Sequence, residues 1–116
     1  MKESGLQAKV LKLLKSFGRD TYFIKIIRAN RSGVSDIVGW TSGLPWVLEL
    51  KSPEYSATAT TLQKYEQELA VAAGARALVS SSYTEIFTWL TKIQEESRLN
   101  PRFPSEDKRG LPAAKG

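Results

Sequence analysis

The chain has 116 residues, 41% of them hydrophobic and 25% charged, which suffices for one compact domain and not for two. It contains no Cys and no His, which excludes a disulfide framework, a thiolate or imidazole metal site and an imidazole base. The 17 Lys and Arg residues exceed the 12 Asp and Glu residues, and this net charge of +5 favours polyanionic partners such as nucleic acid. No apolar run is long enough to span a membrane, and residues 1–18 do not resemble a signal peptide, so we expect a cytoplasmic protein.

The first predicted element is an amphipathic helix that ends at Gly18. Its apolar residues recur at helical spacing: Leu6, Val10, Leu13, Leu14 and Phe17. Glu3 and Gln7 continue the same face, so we expect the Glu3 carboxylate to point inward at the first turn. The alternative for Glu3 is a simple interaction with the helix dipole.

Three segments rich in β-branched and aromatic residues follow, and we predict that each is a strand. They are Tyr22–Arg28, Val34–Thr41 and Pro45–Lys51, and turn-forming residues separate them at 30–33 and 42–44. Two antiparallel hairpins that form a meander are the simplest arrangement.

A second helix is predicted after these strands. Thr60 and Gln63 have the spacing of a capping box, and the pattern stops at Gly74. The apolar stripe of this helix consists of Leu62, Tyr65, Leu69 and Ala73.

A fourth strand, Ala77–Ser81, and a last helix complete the predicted domain. Ser82 and Glu85 form another capping-box pattern before the apolar positions Ile86, Trp89, Leu90 and Ile93. The pattern is lost beyond Glu96, so we assign residues 1–96 to the domain and residues 97–116 to a basic, flexible tail. The order αβββαβα predicts an α/β fold, a mixed four-stranded sheet flanked by helices, with the last two strands parallel.

Three charged residues on two neighbouring strands form the candidate site. Asp36 lies amid apolar neighbours inside the second predicted strand, where an ionised side chain is costly without a partner. Glu49 and Lys51 are two residues apart on the third strand, and a tight hairpin can bring Asp36 alongside them. A divalent cation with oxygen ligands would relieve the repulsion between the two carboxylates.

Each of these residues also has an ordinary structural interpretation. Glu49 and Lys51 could form an exposed ion-pair face, and Asp36 could be an edge residue. Gln63 could merely complete its capping box.

The order of these motifs resembles the virus-type replication-repair nuclease (VRR-NUC) group of the PD-(D/E)xK superfamily. The resemblance rests on the segments 33–39 (GVSDIVG), 46–51 (WVLELK) and 62–63 (LQ), followed by a helix that ends at Gly74 and the strand residues 77–79. Glu3 matches the amino-terminal acidic position of that family. The resemblance covers residues 3 to 90, and Ser35 stands where the family usually has Pro.

The resemblance implies a restriction-endonuclease-like core and metal-dependent hydrolysis of phosphodiester bonds. Asp36 and Glu49 would then hold Mg²⁺ or Mn²⁺ with the backbone carbonyl of Leu50, and Glu3 would hold a second ion or its water. Lys51 would contact the attacking water and the scissile phosphate, and Gln63 would orient that water or Lys51. These roles make up the implied catalytic set: Asp36, Glu49, Lys51, Gln63 and Glu3.

Several cations could contact DNA phosphates, although any one such residue is more often a solvated surface charge. They are Lys9, Lys12, Lys25, Arg28, Arg31 and Lys64. Trp40 and Trp46 could stack on an unpaired base, or they could belong to the core or to a dimer interface.

Together with the resemblance, these residues imply a structure-selective DNA endonuclease, phage or bacterial. Because stand-alone members of that family resemble four-way (Holliday) junction resolvases, a resolvase is the preferred form. A nickase or flap nuclease, a DNA-binding module without turnover and an interaction domain independent of nucleic acid are the alternatives. A resolvase needs two matched cuts, which predicts a homodimer. The aromatic residues expected to supply its interface are Tyr22, Phe23, Trp40 and Trp46.

Overall fold

The computed structural model of the chain describes residues 3–51 and 60–99, and of residues 3 and 4 it describes the backbone alone. Three helices and four strands follow the predicted order: α1 (Glu3–Ser16), β1 (Thr21–Lys25), β2 (Ile37–Thr41), β3 (Leu44–Leu50), α2 (Thr61–Ala72), β4 (Arg76–Ser80) and α3 (Tyr83–Leu99). A short 3-10 turn, Gly18–Asp20, joins α1 to β1. None of the helices in these two ranges is long and apolar enough to cross a membrane.

The four strands form one mixed sheet in the order β1-β2-β3-β4. β1 and β2, and β2 and β3, are antiparallel, whereas β3 and β4 are parallel on either side of the connection through α2. The hairpin between β2 and β3 closes with Ser42 and Gly43, which both have positive φ (48° and 88°), the conformation of a tight two-residue turn. The predicted meander and parallel pair are confirmed.

The hydrophobic core lies on one face of the sheet, beneath α1 and α3. Alternating residues of β2 and β3 point into it because successive side chains of a strand point to opposite faces. They pack with α1 and α3 residues in one cluster: Leu6, Val10, Leu14, Ile37, Leu44, Trp46, Leu48, Leu50, Ile86, Leu90 and Ile93. The opposite face is covered by α2 near β3 and β4.

The core also includes or contacts two of the four aromatic residues expected at a dimer interface. Trp46 is buried, and its Nε1 donates to Thr41 Oγ1 at 3.0 Å. Phe23 is partly buried and packs against the core cluster. The expectation that Trp46 supplies interface is therefore wrong, since the core already uses this ring, whereas the expectation for the partly buried Phe23 stays a prediction.

The strands are shorter at the first connection than the sequence predicts. β1 ends at Lys25 instead of Arg28, and β2 begins at Ile37 instead of Val34. Residues 26–36 form a loop instead, which turns through Gly33 at φ 87°. The β-branched residues of this segment favour a strand locally, but the contacts of this loop with α2 override that preference.

The last helix and its cap also differ in detail from the prediction. Ser82 Oγ accepts from the Glu85 backbone N–H at 3.1 Å, whereas the Glu85 carboxylate accepts from Ser80 Oγ and does not return to the Ser82 N–H. The predicted capping box is therefore half formed. α3 continues past Glu96 to Leu99, with Ser97 buried. The predicted flexible tail lies, from residue 100 onward, outside the described residues.

The apolar stripe of α2 does not enter the core. No residue of this helix is buried, and Leu62, Tyr65 and Leu69 are exposed. The side of α2 that contacts the sheet is polar, because Gln63 bonds to Glu49 and Gln67 Nε2 donates to the Leu78 carbonyl at 3.4 Å. These polar contacts rotate the stripe toward the solvent.

Candidate active site

Asp36 immediately precedes β2, one residue outside the strand in which it was predicted. Its backbone carbonyl accepts from the Ile26 N–H at 2.7 Å. Hydrogen bonding between the two sides of the first hairpin therefore continues one residue beyond β1 and β2. Its Oδ2 accepts from the Leu50 N–H at 2.8 Å, at the end of β3. The carboxylate thus satisfies the last amide of the neighbouring strand and is held beside it.

Glu49 lies on β3 on the same face of the sheet as Asp36. Ile37 pairs with Leu48, and the same antiparallel register continued by one residue sets Asp36 opposite Glu49. Residues that face each other across an antiparallel pair have Cβ atoms about 4.5–5.5 Å apart. The hairpin therefore brings the two carboxylates together, as the sequence predicts.

Glu49, Gln63 and Lys51 form a bonded cluster. Gln63 Nε2 donates to Glu49 Oε2 at 2.8 Å, and Gln63 Oε1 accepts from Lys51 Nζ at 2.9 Å. Lys51 Nζ also lies 3.6 Å from Glu49 Oε2. One amide therefore connects the acidic and basic members of the site, and α2 supplies that amide.

The burial of this cluster excludes the interpretation of Glu49 and Lys51 as an exposed ion-pair face. Their side chains are 6% and 18% exposed, respectively. A partly buried ion pair with an additional hydrogen-bonded amide is held more rigidly than a surface pair. Gln63 also completes the predicted capping box, because its Oε1 accepts from the Thr60 N–H at 2.9 Å and its own N–H donates to Thr60 Oγ1 at 3.2 Å; its catalytic role stays a prediction.

Two further ligands were inferred from the resemblance, and both remain predictions. Glu3 is the first residue of α1, but its side chain lies outside the described atoms. The second inferred ligand is the backbone carbonyl of Leu50, the last residue of β3. Within the described residues, no group of three or more acidic side chains gathers to hold a metal ion.

The loop that carries Asp36 is fastened to the start of α2. A Cβ added to Gly33 would lie 2.7 Å from the backbone carbonyl carbon and oxygen of Leu62, so only glycine fits this approach. Arg31 makes a bidentate ion pair with Glu66, with Nε to Oε2 at 2.8 Å and one terminal nitrogen to Oε1 at 3.0 Å. Both contacts fix the loop against the helix that bears Gln63.

The sequence did not predict the ion pair with Glu66. Arg31 was assigned to DNA phosphates, but its guanidinium already has a carboxylate partner. The hydrogen bonds and the charge of Glu66 raise the pKa of Arg31, which keeps this group cationic. Arg31 and Glu66 are 35 residues apart in the sequence, so no local sequence pattern predicts that they form a pair.

The other predicted DNA contacts lie in different environments. Lys9 Nζ lies 5.1 Å from the centre of the Tyr83 ring, a cation–π contact between α1 and α3. Lys25 pairs with Ile37 in the sheet register, which sets it on the face opposite Asp36. Arg28 and Lys64 are exposed, on the loop and on α2, respectively. Within the described residues, these two are exposed cations on the elements that carry Asp36 and Gln63.

The donor set of the site fits Mg²⁺ or Mn²⁺. Asp36 and Glu49 offer carboxylate oxygens, and hard divalent cations of this kind are held by one or two carboxylates together with water and substrate phosphates. A chain without His or Cys offers no thiolate or imidazole ligands that would favour other metals. Lys51 leaves the cluster one net negative charge, which a divalent cation can still neutralise.

Comparisons with known proteins agree with the fold expected from the resemblance. No family model and no curated protein sequence matches the chain. A solved structure described as a VRR_NUC domain matches with a TM-score of 0.66 and 23% sequence identity. The match covers 78% of this chain and 96% of that domain. The chain therefore has the fold of a VRR-NUC domain, a restriction-endonuclease-like α/β core.

Proposed function

We propose that the protein is a Mg²⁺- or Mn²⁺-dependent DNA endonuclease that selects its substrate by structure. The observation that carries this proposal is the cluster of Asp36, Glu49, Lys51 and Gln63 on one face of a VRR-NUC fold. A fold can persist without its activity, but an interaction domain has no physical need for a buried carboxylate, lysine and amide that are bonded to one another.

Each described side chain has a role that its contacts support. Asp36 and Glu49 would hold the divalent ion, which when bound supplies Lewis acidity toward the scissile phosphate and acidifies a coordinated water. Lys51, held by Gln63 at 2.9 Å, would stabilise the negative charge that grows on the phosphate and orient the attacking water. Glu49 keeps its geometry through the 2.8 Å bond from Gln63.

Within this class, we propose a resolvase of four-way junctions that acts as a homodimer. Junction resolution requires two cuts on opposed strands, and a two-fold dimer repeats the same site in the symmetry of the junction. The exposed stripe of α2, formed by Leu62, Tyr65 and Leu69, offers apolar surface for such an interface. A nickase or a flap nuclease would need only one site and is the alternative.

Cleavage of labelled DNA tests the proposal directly. The purified chain is incubated with single-stranded, duplex, flap and four-way substrates, with Mg²⁺, with Mn²⁺ and with chelator. We expect metal-dependent cutting that is fastest on the four-way junction, and none by a matched Glu49→Gln variant. Binding without cutting under every condition would refute the nuclease and leave a DNA-binding module.

Sedimentation at micromolar concentration, with and without a four-way junction, tests the dimer. A two-fold complex on the junction is the expected result. A monomer under both conditions would refute the resolvase and favour the nickase.

A further inference from the structure

An exposed pair of aromatic rings lies on the same face of the sheet as the candidate active site. Tyr22 of β1 pairs with Trp40 of β2, and their ring centroids are 5.7 Å apart with a tilt of 38°. The two residues are 62% and 45% exposed. Because Asp36 and Trp40 are four residues apart along one strand direction, alternation sets them on one face.

An apolar strip connects the rings to the carboxylates. Val38 lies between Asp36 and Trp40 on that face, with Ile24 and Val47 as its partners in the neighbouring strands. Among the described residues, α2 covers the face over β3 and β4, and Tyr22, Ile24 and Trp40 are exposed on the part formed by β1 and β2. At about 3.4 Å per residue, the rings lie ~14 Å along the strand from Asp36.

The core does not require these two rings. On the opposite face of the sheet, Trp46 of β3 is already buried in the core, and Phe23 of β1 packs against it partly buried. Large aromatic side chains that remain in water beside a polar site are typical of binding surfaces. The exposed apolar area here is one pair of rings with Ile24 beside it, which suits a planar ligand better than a protein.

We propose that Tyr22 and Trp40 stack on an unpaired nucleobase of the DNA strand whose phosphodiester lies at Asp36 and Glu49. This inference rests on the proposed function and names the kind of substrate that it selects. A separation of ~14 Å corresponds to about four stacked nucleotides at 3.4 Å per nucleotide, and to fewer in an extended strand. Inside a duplex the faces of a base are covered by the neighbouring stacked pairs, and they become accessible where stacking is interrupted, at a branch point or in an unpaired stretch. The rings therefore select DNA with unstacked bases near the cut.

The charges around this face support a nucleic-acid strand as the occupant. Arg28 is exposed on the loop that leads to Asp36, and Lys64 is exposed on α2 next to Gln63. The loop and the first turn of α2, which carry these cations, lie at the end of the face that holds Asp36 and Gln63, and the rings occupy the other end. Stacking on aromatic residues tolerates any base, because every base has a π-face, so this site confers structural and not sequence selectivity.

Binding of a fluorescently labelled oligothymidylate, with a blunt duplex as reference, tests the inference. Ca²⁺ replaces Mg²⁺ so that affinity is measured without cutting. The variants are Trp40→Ala, Trp40→Phe and Tyr22→Ala, and the matched control is Phe87→Ala, an aromatic residue of α3 that is 41% exposed.

We expect Trp40→Ala to weaken oligothymidylate binding by about 5- to 100-fold, the scale of one lost base–aromatic stack. Trp40→Phe should retain most of the affinity, and Phe87→Ala should retain all of it. Duplex affinity should stay nearly constant throughout. Quenching of tryptophan emission by oligothymidylate should occur in the wild-type protein and be lost in Trp40→Phe, since Trp46 is buried and Trp89 packs against the core on α3, on the opposite side of the sheet.

Two results would overturn the inference. One is an oligothymidylate affinity that Trp40→Ala and Tyr22→Ala leave unchanged, or that Phe87→Ala lowers equally. The other is that Trp40→Ala changes the sedimentation of the free protein but not its affinity for oligothymidylate, which would show that the rings contact a second copy of the chain. If Trp40→Ala does not fold, Tyr22→Ala and the quenching comparison decide.

The outcome is separate from that of the proposed function. If the protein cuts DNA in a metal-dependent way but Trp40→Ala and Tyr22→Ala bind oligothymidylate normally, only the stacking role of these two rings is refuted. Trp40-dependent binding by a protein that cuts no DNA would support the ring site and refute the nuclease.

Discussion

Replacement of Gln63 by alanine separates the two roles that its side chain combines. The variant loses three hydrogen bonds at once: to Glu49 Oε2, from Lys51 Nζ and from the Thr60 N–H. Replacement of Thr60 by alanine is the matched control. It removes the Oγ1 that accepts from the Gln63 N–H and leaves the Gln63 side-chain bonds to Glu49 and Lys51 in place.

The structure sets the expected loss of stability. The capping bond to the Thr60 N–H contributes about 0.5–1.5 kcal/mol, and each bond to a charged group contributes about 1.5–3 kcal/mol when water cannot replace it. Lys51 can recover water partners because it is 18% exposed, so we expect a total loss of about 2–4 kcal/mol. For a domain of this size, that loss lowers the Tm by about 10–25 °C. Thr60→Ala should cost about 1 kcal/mol.

Thermal unfolding without metal and cleavage at a temperature where both variants are folded measure the two roles separately. Gln63→Ala should cut DNA about 10- to 100-fold more slowly than wild type, the usual effect of removing a group that orients a reacting residue. Thr60→Ala should cut at nearly the wild-type rate. If Gln63→Ala cuts normally and loses no more stability than Thr60→Ala, then Gln63 is a helix cap only and the site assignment fails.

Four further predictions concern the metal, the lysine and the loop. Asp36→Asn should abolish cleavage while circular dichroism shows an intact fold, because charge is removed without a change of shape; unchanged turnover would contradict the metal site. Lys51→Ala should lower the cleavage rate by about 10² to 10⁴ and leave metal-dependent DNA binding largely intact, whereas equal losses of both would make Lys51 a phosphate anchor. Ca²⁺ should support DNA binding without efficient cleavage, because it accepts longer and looser coordination than Mg²⁺, and comparable rates in the two ions would argue against a geometrically strict site. Gly33→Ala should lower the free energy of unfolding by more than about 2 kcal/mol, because its Cβ would overlap the Leu62 backbone. Gly18→Ala is the control: at φ 76° with open space around it, it should lose about 1 kcal/mol. Equal losses of the two variants in chemical denaturation would refute the close approach of Gly33 to Leu62.

The sequence predicts the sheet and the convergence of the site because both depend on short-range regularities. Side chains alternate along a strand, and a tight turn at Ser42 and Gly43 leaves little choice of register between β2 and β3. The sequence predicts that a tight hairpin brings Asp36 alongside Glu49, and the two-residue turn, one residue shorter than the predicted separation at 42–44, sets the register in which they face each other. Lys51, two residues beyond Glu49, had to share their face.

The orientation of α2 could not be predicted in this way. Periodicity identifies which residues of a helix share a face, but not which face the sheet will contact. Here the contact side is selected by hydrogen bonds from Gln63 and Gln67, and Leu62 and Tyr65 remain exposed. The ion pair of Arg31 with Glu66 escaped prediction for the same reason, since it depends on where the loop meets the helix.

The choice of an amide at position 63 follows from the two requirements that meet there. A capping box accepts either Glu or Gln at this position, because only an acceptor for the Thr60 N–H is needed. Glu49 adds a different requirement, a donor at 2.8 Å from its Oε2, and Lys51 needs an acceptor at 2.9 Å. A glutamate would meet Lys51 and the Thr60 N–H but would set a second carboxylate against Glu49. An amide alone supplies both the donor and the acceptor, so the fold of α2 and the geometry of the site depend on the same side chain.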